Sequence, residues 1–455
     1  MFAKINFHDE FYQKLKLLVL PITMQQFMLA LVSATDAIML GAVSQTSLSA
    51  VSLAGQIQFV LNLFISGISA GSGIMAAQYW GKKDAASIEE VMPIALRTNL
   101  IFSGAFTVFA AVAPEVLMRI FTSDPALIES GAVYLRAVSL SYLLCGISQI
   151  YLILLKNTGY ATVSSRISCT AVVVNIICNA ILIYGLLGLP ALGIQGAAYA
   201  TVAARLVELV WSYLETKQSG RVQIIWKKMF RAADAVLTKD FWRYTMPVLG
   251  AALVWGIAYV SYSVIMGHMG SDAVAANSIT TIAKNMLSCL IRGVSGGAGV
   301  LIGNLLGAGE LDKAKVYGGR LTRMAIVVGM TTGGLLMLIS PLIVRFAPLS
   351  ETAAEYLQYM LIFCGCNIMA QSVNTTVLDG IFCAGGDSKF DMKGNLGAMW
   401  CFSVPFGFFA AFVLKWPVMV VYCIVNLDEI VKIPAVYLHY KKYIWVRNIT
   451  VQEEA

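Results

Sequence analysis

Long apolar stretches, separated by short polar segments, run through the whole chain. A helix needs about 20 consecutive apolar residues to cross the hydrocarbon core of a bilayer, which is about 30 Å thick. Twelve stretches approach or exceed that length, roughly at 17–40, 50–77, 93–113, 132–155, 167–189, 191–214, 241–266, 276–303, 321–343, 353–378, 396–414 and 416–438. The pattern therefore predicts an all-α polytopic membrane protein with twelve transmembrane helices.

The two halves of the chain repeat each other at a constant offset of 226 residues. The recurring residues include one proline, five glycines and one arginine, and glycines and prolines recur where the backbone sets the requirement. They pair as Pro21 with Pro247, Gly41 with Gly267, Gly67 with Gly293, Gly71 with Gly297, Gly73 with Gly299, Gly81 with Gly307 and Arg97 with Arg323. We predict two pseudo-symmetric six-helix lobes, an N-lobe over 1–214 and a C-lobe over 241–455, joined by a cytoplasmic linker over 215–240. Two similar lobes that face each other across a cleft are typical of transporters that alternate their access.

The distribution of Lys and Arg predicts the orientation, because cytoplasmic loops carry an excess of these residues. They concentrate at both chain ends and in every second loop, whereas the other loops contain Arg119, Arg345 and Lys415. We therefore predict a multi-pass protein of the plasma (cytoplasmic, or inner) membrane with both termini in the cytoplasm. The net charge of +7 then follows from the topology and needs no nucleic-acid partner to explain it.

The composition also excludes several classes of function. Hydrophobic residues make up 58% of the chain and charged residues 13%, against about 25% charged residues in an ordinary soluble domain. The nine cysteines form no CxxC pair, and only three histidines are present. The sequence therefore offers few residues that could build a metal or redox centre. The sequence therefore predicts no cofactor, no metal centre and no catalytic residue, and the chain is not expected to be an enzyme.

One motif does suggest catalysis. The segments 67–71 and 293–297 both fit G-x-S-x-G, with Ser69 and Ser295 at the centre. A nucleophile elbow needs a strand-turn-helix setting, and an intramembrane serine protease needs a histidine at similar depth. Neither requirement is met by the pattern. Small residues at repeat-equivalent positions instead predict close packing of helices, with a serine hydrolase as the remote alternative.

Several short segments, taken in order, resemble the multidrug and toxic compound extrusion (MATE) family. They are QYWGKKD at 78–84, NIICNAILIY at 175–184, GIQGAAYAT at 193–201, NLLGAGE at 304–310 and AGGDSK at 384–389. The resemblance extends over about 21–440, nearly the whole chain. It implies two six-helix lobes that form a V and the cation-driven extrusion of organic compounds.

Asp36 is the leading intramembrane carboxylate. A carboxylate inside an apolar span is costly unless it is solvated, paired or protonated, so it is usually functional. Its repeat counterpart is Tyr262, so Asp36 is not a shared structural feature; a residue that merely reaches the outer interface is the alternative. The chain is similar to the DinF-like branch of the family, in which an Asp on the first helix belongs to the cation site and a proline fifteen positions earlier marks a helix bend. Pro21 has that spacing, and a proline weakens a helix locally.

The other residues of that branch's cation site resemble Asn175, Asn179 and Thr201. Asn175 and Asn179 are four apart and share one helix face, so their amide oxygens and the Thr201 hydroxyl could complete an oxygen shell. The branch usually has Asp where Asn179 stands, which leaves one carboxylate instead of two. The resemblance therefore implies H⁺ or Na⁺ as the coupling ion at Asp36. Hydrogen bonding between helices without any ion is the alternative.

The C-lobe departs from the NorM-like branch, which carries a Glu on the seventh helix and an Asp on the tenth. No acid lies between 246 and 269, and Ser372 aligns with the tenth-helix Asp. Instead, Lys284 and Arg292 lie eight residues apart, near one face of the eighth helix. One interpretation pairs Lys284 with Asp379, and the other is a substrate surface that accepts anions. Further candidates for the substrate cavity are Asn374, Gln371 and Tyr262, and the amides of Asn285 and Asn367 lie on the same two helices.

Other charges inside the apolar stretches lie at helical spacing. Arg205 and Glu208 are three apart, as are Glu429 and Lys432, and Asp428 precedes Lys432 by four. This spacing predicts local ion pairs on one helix face.

The sequence thus predicts a secondary antiporter, coupled to H⁺ or Na⁺, that exports small organic compounds or drugs by alternating access. Its partners would be small organic substrates and the lipid bilayer, and we expect a monomer. A flippase for lipids or lipid-linked sugars of the same superfamily is the alternative function. Those proteins usually show a charged central cavity or extra helices.

Overall fold

The computed structural model describes residues 9–231, 234–347 and 349–451, and this part of the chain is helical without a β-strand. Its long helices are α1 (Glu10–Val43), α2 (Gln45–Gly81), α3 (Ala85–Val112), α4 (Pro125–Asn157), α5 (Ala161–Tyr184), α6 (Ile194–Thr216), α7 (Ala235–Gly267), α8 (Ser271–Gly307), α9 (Leu311–Phe346), α10 (Glu351–Phe382) and α11 (Ser388–Val413). Two shorter helices follow, α12 (Val418–Val425) and α13 (Asp428–Tyr440). The predicted all-α polytopic fold is confirmed, and the ends of the predicted lobes at 1–8 and 452–455 lie outside the described residues.

Ten of these helices, α1–α5 and α7–α11, are long and apolar enough to cross a membrane. The sixth predicted span corresponds to α6, which carries Arg205 and Glu208. The twelfth predicted span, 416–438, corresponds to α12 and α13 together. At the break between them the Asn426 carbonyl accepts a hydrogen bond from the Asn367 side chain, and the Ile430 amide donates to Leu427 O at 3.0 Å. The architecture of twelve spans fits, with a break in the last one that the apolar pattern did not predict.

The described chain forms two compact units. One, called the N-unit, comprises Met24–Trp80 and Asp84–Leu249; the other, called the C-unit, comprises the described residues of 1–23, 81–83 and 250–455. The core of the N-unit is built around residues such as Leu61, Leu135 and Tyr142. The larger core of the C-unit includes Ile302, Leu321 and Phe382. The predicted lobe boundaries remain a prediction.

In the N-unit, α2 packs tightly against the first part of α7. A Cβ atom added at Gly67 would lie 2.7 Å from Leu249 Cα, and one added at Gly71 would lie 2.6 Å from Thr245 Cα. Both distances are too short for any side chain. The two glycines are four apart, so they form one flat face, and the segment they hold contains Pro247. The repeated glycines are thus explained by a close helix approach of the G-x-x-x-G kind.

The C-unit repeats this contact with the equivalent residues. Gly293 on α8 approaches Thr23 on α1 too closely to carry a side chain, and a Cβ added at Gly297 would lie 2.9 Å from Val19 Cγ2. Here the segment held by the two glycines contains Pro21. Thr23 and Leu249, like Val19 and Thr245, are themselves 226 residues apart. The internal repeat therefore includes a complete packing contact around each proline.

The same contacts account for the two G-x-S-x-G segments. Ser295 Oγ donates to Thr375 O at 2.9 Å, and Ser69 is buried beside Gly67 and Gly71. The histidines of the described chain are engaged elsewhere: His268 Nδ1 lies 2.9 Å from Val264 O, and His439 Nε2 lies 2.6 Å from Asp387 Oδ2. Close packing therefore explains both segments.

The entry into α1 is fixed by Asp9. Its carboxylate accepts the Phe11 backbone N–H at 3.1 Å and lies 2.6 Å from Arg320 NH1. These hydrogen bonds stabilise the charged carboxylate and hold the pKa of Asp9 below its usual value, with the Phe11 amide as the larger cause and Arg320 as the second. The start of α1 is thereby tied to α9 within the C-unit.

Candidate functional site

The N-unit brings together the four residues of the predicted cation site. Asn179 Nδ2 donates to Asp36 Oδ1 at 2.5 Å and to Asn175 Oδ1 at 3.1 Å. Asn175 Nδ2 in turn lies 3.4 Å from Thr201 Oγ1, and the Thr201 hydroxyl donates to Ala197 O at 3.0 Å. One hydrogen-bonded chain thus joins α1, α5 and α6. Its members come from three separate spans, so tertiary packing and not local sequence creates the group.

The orientation of Asn179 is fixed by its neighbours. Its amide nitrogen faces two acceptors, so its amide oxygen points away, buried and without a partner. Among the described residues, no Lys or Arg nitrogen lies within 4.0 Å of Asp36. The carboxylate is therefore stabilised by an amide N–H and not by a fixed positive charge.

This geometry discriminates between the possible coupling ions. A sodium shell needs converging oxygens, whereas here an amide nitrogen faces Asp36 and occupies the Asn175 oxygen. For sodium, Asn179 would have to rotate by about half a turn so that its free oxygen faced the carboxylate. A proton requires only the carboxyl group and a neighbour that hydrogen-bonds it. The described arrangement fits a proton site better than a sodium shell.

Asp36, Asn175 and Thr201 line a cavity of about 610 Å³ in the N-unit. Such a volume is in the range of about 300–1,000 Å³ that is typical of small-molecule sites. The wall mixes apolar and polar side chains, which include Gln25, Ser33, Gln58, Asn62, Ser66, Tyr134, Gln149, Arg205 and Glu208. The predicted coupling residue therefore opens onto a space large enough for a small organic compound.

The cavity wall also holds an ion pair that we predicted only as a local contact. Arg205 NH1 lies 2.9 Å from Glu208 Oε2, which confirms the predicted pairing. Glu208 Oε1 also accepts from Ser148 Oγ at 2.6 Å and from Gln149 Nε2 at 3.3 Å. Both charged residues line the cavity. Their i,i+3 spacing did not predict that they line a cavity, because ion pairs with this spacing are also common on exposed helix faces.

The C-unit candidates do not form one group. The structure places no ion pair between Lys284 and Asp379 within the described chain; Asp379 and Arg292 are exposed, and Lys284 is partly buried. The charge of Arg292 acts on Asp379, whereas that of Lys284 acts on Asp428. The alternative in which Lys284 pairs with Asp379 is therefore not what the structure shows.

The amide and tyrosine candidates of the C-unit lie deeper. Asn374 is 1% exposed, and its Nδ2 donates to Glu429 O at 2.6 Å and to Glu429 Oε2 at 2.9 Å. Gln371 is partly buried, and its Oε1 atom has no partner. Tyr262 packs on a small apolar cluster that includes Ile265 and Val421. Asn374 thus contacts an acid that sequence reasoning treated only as half of a local pair.

Comparison with known proteins decides the family. The MatE family model matches residues 21–181 and 247–409. The two matched segments cover more than half of the chain and begin at the repeat-equivalent prolines Pro21 and Pro247. The chain belongs to the MatE family. The predicted MATE resemblance is confirmed at this level, and membership of a family of multi-pass transporters gives no support to the serine hydrolase. The DinF-like branch remains a prediction.

Individual MatE-like relatives match along most of their length. The chain is 22% identical over 417 residues to the uncharacterized transporter YisQ of Bacillus subtilis (strain 168), covering 91% of this chain and 90% of that one. It is 23% identical over 354 residues to the probable multidrug resistance protein NorM of Agrobacterium fabrum, covering 76% of this chain and 73% of that one. A solved MOP superfamily transporter from Pyrococcus furiosus has the same fold, with a TM-score of 0.86, 18% identity and 95% of each chain covered.

Proposed function

We propose that this MatE-family protein is a proton-coupled antiporter that exports small organic compounds across the plasma membrane, with both termini in the cytoplasm, and that it acts as a monomer. The observation that carries the proposal is the carboxylate of Asp36, which has no cationic partner within 4.0 Å in the described chain and lies at the wall of a cavity of about 610 Å³. Relatives named as probable multidrug resistance proteins support the class of substrate. Protonation of Asp36 would favour one conformation and substrate binding the other. The entry of a proton would thereby be coupled to the export of substrate.

The structure suggests how a proton at Asp36 affects the helices around it. The charged carboxylate accepts the Asn179 amide, which ties α1 to α5. A protonated carboxyl binds that N–H more weakly, since hydrogen bonds to charged groups are about twice as strong as neutral ones. Protonation would therefore loosen the link between α1 and α5 beside the cavity. Sodium remains the alternative coupling ion and would need the rotated Asn179 described above.

A flippase for lipids or lipid-linked sugars is the second function. The Arg205–Glu208 pair in the cavity wall is the one observation that favours a polar head group as substrate. The two charges neutralise each other at 2.9 Å, however, and leave Asp36 as the unpaired charge of that wall. The arrangement therefore favours a neutral or cationic organic compound in this cavity.

Efflux from proteoliposomes tests the proposal. Purified protein is reconstituted, and release of a fluorescent organic compound is measured under a pH gradient alone and under a sodium gradient alone. We expect release under the pH gradient and none above protein-free vesicles under the sodium gradient. Release driven only by the sodium gradient would show that sodium, and not the proton, is the coupling ion. If neither gradient drives release but the protein flips or scrambles lipids, the second function is favoured.

Replacing Pro21 with Ala should slow turnover more than it weakens substrate binding. Alanine allows one more backbone hydrogen bond and so stiffens α1, close to the point after Thr23 where α1 leaves the C-unit. Initial efflux rates and substrate affinity of the purified variant check this. Pro341, which lies near the end of α9, offers a control in the form of Pro341→Ala. Equal turnover in Pro21→Ala and wild type would show that bending at Pro21 is not a required step.

Replacing Lys284 with Met should reduce transport of anionic and zwitterionic compounds more than that of cationic ones. An unpaired cation in the hydrocarbon region costs about 2.5–3.5 kcal/mol on insertion scales, and Lys284 has no ion-pair partner within 4.0 Å in the described chain. Its charge acts on Asp428 and Glu429, but no direct ion pair keeps an anionic group of a substrate from contacting it. Competition assays with matched anionic and cationic dyes, with the exposed Lys389→Met as control, measure the difference. Equal losses for both dyes would mean that Lys284 serves only to balance Asp428 and Glu429.

A further inference from the structure

A second buried charged group lies in the C-unit, on α11 and α13, and we refer to it as the lysine cluster. Lys432 Nζ is 2.9 Å from Glu429 Oε1 and 3.6 Å from Asp428 Oδ2, and it donates to Asn395 Oδ1 at 3.1 Å. Asn395 Nδ2 donates in turn to Asp391 Oδ1 at 3.0 Å. Asp391, Asn395, Asp428 and Lys432 are each less than one-tenth exposed. Hydrogen bonds to Glu429 and, through Asn395, to Asp391, together with the ion pair to Asp428, therefore connect three acids through one lysine.

The charges of this cluster do not balance. One ammonium faces the carboxylates of Asp391, Asp428 and Glu429, and Asp391 makes no ion pair with it. Neighbouring elements add the carboxylate of Asp379 on α10 and the cations of Arg292 and Lys284 on α8.

The four carboxylates and three bases named here leave an excess of one negative charge. The Cys383 thiol and the Tyr262 hydroxyl also lie near these acids and carry no compensating positive charge. Asp391 and Asp428 are buried and the Glu429 side chain is only 12% exposed, so three carboxylates beside one ammonium cannot all ionise there without a large penalty. One additional positive charge is missing from the cluster.

Asn374 connects the lysine cluster to α10. Its amide nitrogen faces two acceptors of Glu429, so the position of its oxygen is fixed. That oxygen is buried, in a residue that is 1% exposed, and has no hydrogen-bond partner. A buried acceptor without a donor costs about 1–3 kcal/mol.

We propose that the lysine cluster is a second proton-binding site of the transporter, centred on Asp391 and its hydrogen-bonded neighbours. A proton fits better than a metal ion, because the Lys432 ammonium already occupies the position between Glu429, Asp428 and Asn395, where a metal ion would meet a fixed positive charge. The site lies on α11 and α13 and not on the seventh and tenth helices, where the NorM-like branch carries its C-lobe acids. Its use in transport rests on the proposed proton antiport, but its protonation does not.

The consequence for the C-unit follows from the contacts. A proton on Asp391 removes the charge that accepts the hydrogen bond from Asn395 Nδ2, so Lys432 is held to α11 only by a neutral amide, while it keeps Glu429 and Asp428 on its own helix. The link between α11 and α13 would weaken, while Asn374 would keep α10 bound to Glu429. Protonation would thus act on α11 relative to α10 and α13, all within the C-unit.

Infrared difference spectroscopy on the full-length protein in lipid nanodiscs tests the site directly. Spectra are taken at about pH 6, where exposed carboxyl groups with pKa values near about 4 are ionised, so that an absorbance of protonated carboxyl groups reports buried ones. We expect the wild type to show two components. The Asp36→Asn variant should lose one and keep the other, and Asp36→Asn with Asp391→Asn should lose both. Asp312→Asn, whose side chain is 97% exposed, should leave the spectrum unchanged.

The single Asp36→Asn variant decides the matter even if Asp391→Asn does not fold. A remaining carboxyl component in Asp36→Asn that shifts in Glu429→Gln supports the cluster, and the absence of any remaining component overturns it. If the component vanished on addition of sodium chloride, the cluster would bind a metal ion and not a proton. None of these spectra depends on transport, so failure of the antiport in the efflux assay and failure of this site are separate results.

Discussion

Replacing Asp36 with Asn should abolish gradient-driven efflux and leave the protein folded and inserted. Asparagine has nearly the same size, but it cannot exchange a proton, and the hydrogen bond from Asn179 Nδ2 at 2.5 Å would lose its charged acceptor. The helix contacts around Asp36 do not depend on an ion pair within the described chain. We therefore expect efflux at the level of protein-free vesicles, together with an unchanged elution profile and melting temperature.

The matched control is Glu129→Gln, which removes one exposed carboxylate from the same unit. It should transport at the wild-type rate. Efflux by Asp36→Asn at a comparable rate would remove Asp36 from the coupling mechanism. Loss of efflux in both variants would point to a general effect of charge and not to this site.

Replacing Gly67 with Ala should destabilise the protein and lower its melting temperature. The new methyl group would lie 2.7 Å from Leu249 Cα, so the backbone of α2 or α7 has to move. Extra methyl groups forced into well-packed sites typically cost about 1–3 kcal/mol. Because Pro247 lies within the contacted segment of α7, we also expect slower efflux from the molecules that remain folded.

The chain offers a control of the same chemistry at Gly104. A Cβ atom there meets nothing within 4 Å, and alanine is the better helix former by about 0.5–1 kcal/mol. Gly104→Ala should therefore melt at or above the wild-type temperature. If Gly67→Ala melted together with Gly104→Ala, the close contact between α2 and α7 would not contribute to stability, and the repeated glycines would need another explanation.

The features that the sequence predicted well are those with a regular period or a strict backbone requirement. Apolar spans of about 20 residues report membrane helices directly, and the glycines and prolines at an offset of 226 residues mark contacts that recur in both units, as between Gly67 and Leu249 and between Gly293 and Thr23. Asp36 stood out because a lone acid in an apolar span has few alternative explanations. The i,i+4 spacing of Asn175 and Asn179 placed both amides on one face, and the structure brings that face to Asp36.

The features that could not be predicted depend on contacts between distant helices. Glu429 and Lys432 have the spacing of an ordinary local pair, and nothing in that spacing indicates Asn374 on α10 or Asn395 on α11 as partners. At the break between α12 and α13, the Asn426 carbonyl likewise accepts a hydrogen bond from a distant residue, Asn367, 59 residues away. The cavity position of Glu208 was missed for the same reason. The spacing of residues along the sequence predicts which side chains share a helix face. It does not predict which other helices contact that face, because tertiary packing determines those contacts.

Counter-transport of protons tests the central claim most directly. Proteoliposomes that contain a pH-sensitive dye and no imposed pH gradient are given an outward gradient of the transported compound. If Asp36 exchanges a proton for substrate, wild-type vesicles should show proton movement in the direction opposite to substrate flow, and Asp36→Asn vesicles should show none. Substrate movement in wild-type vesicles without any proton movement, or equal proton movement in Asp36→Asn, would contradict the account.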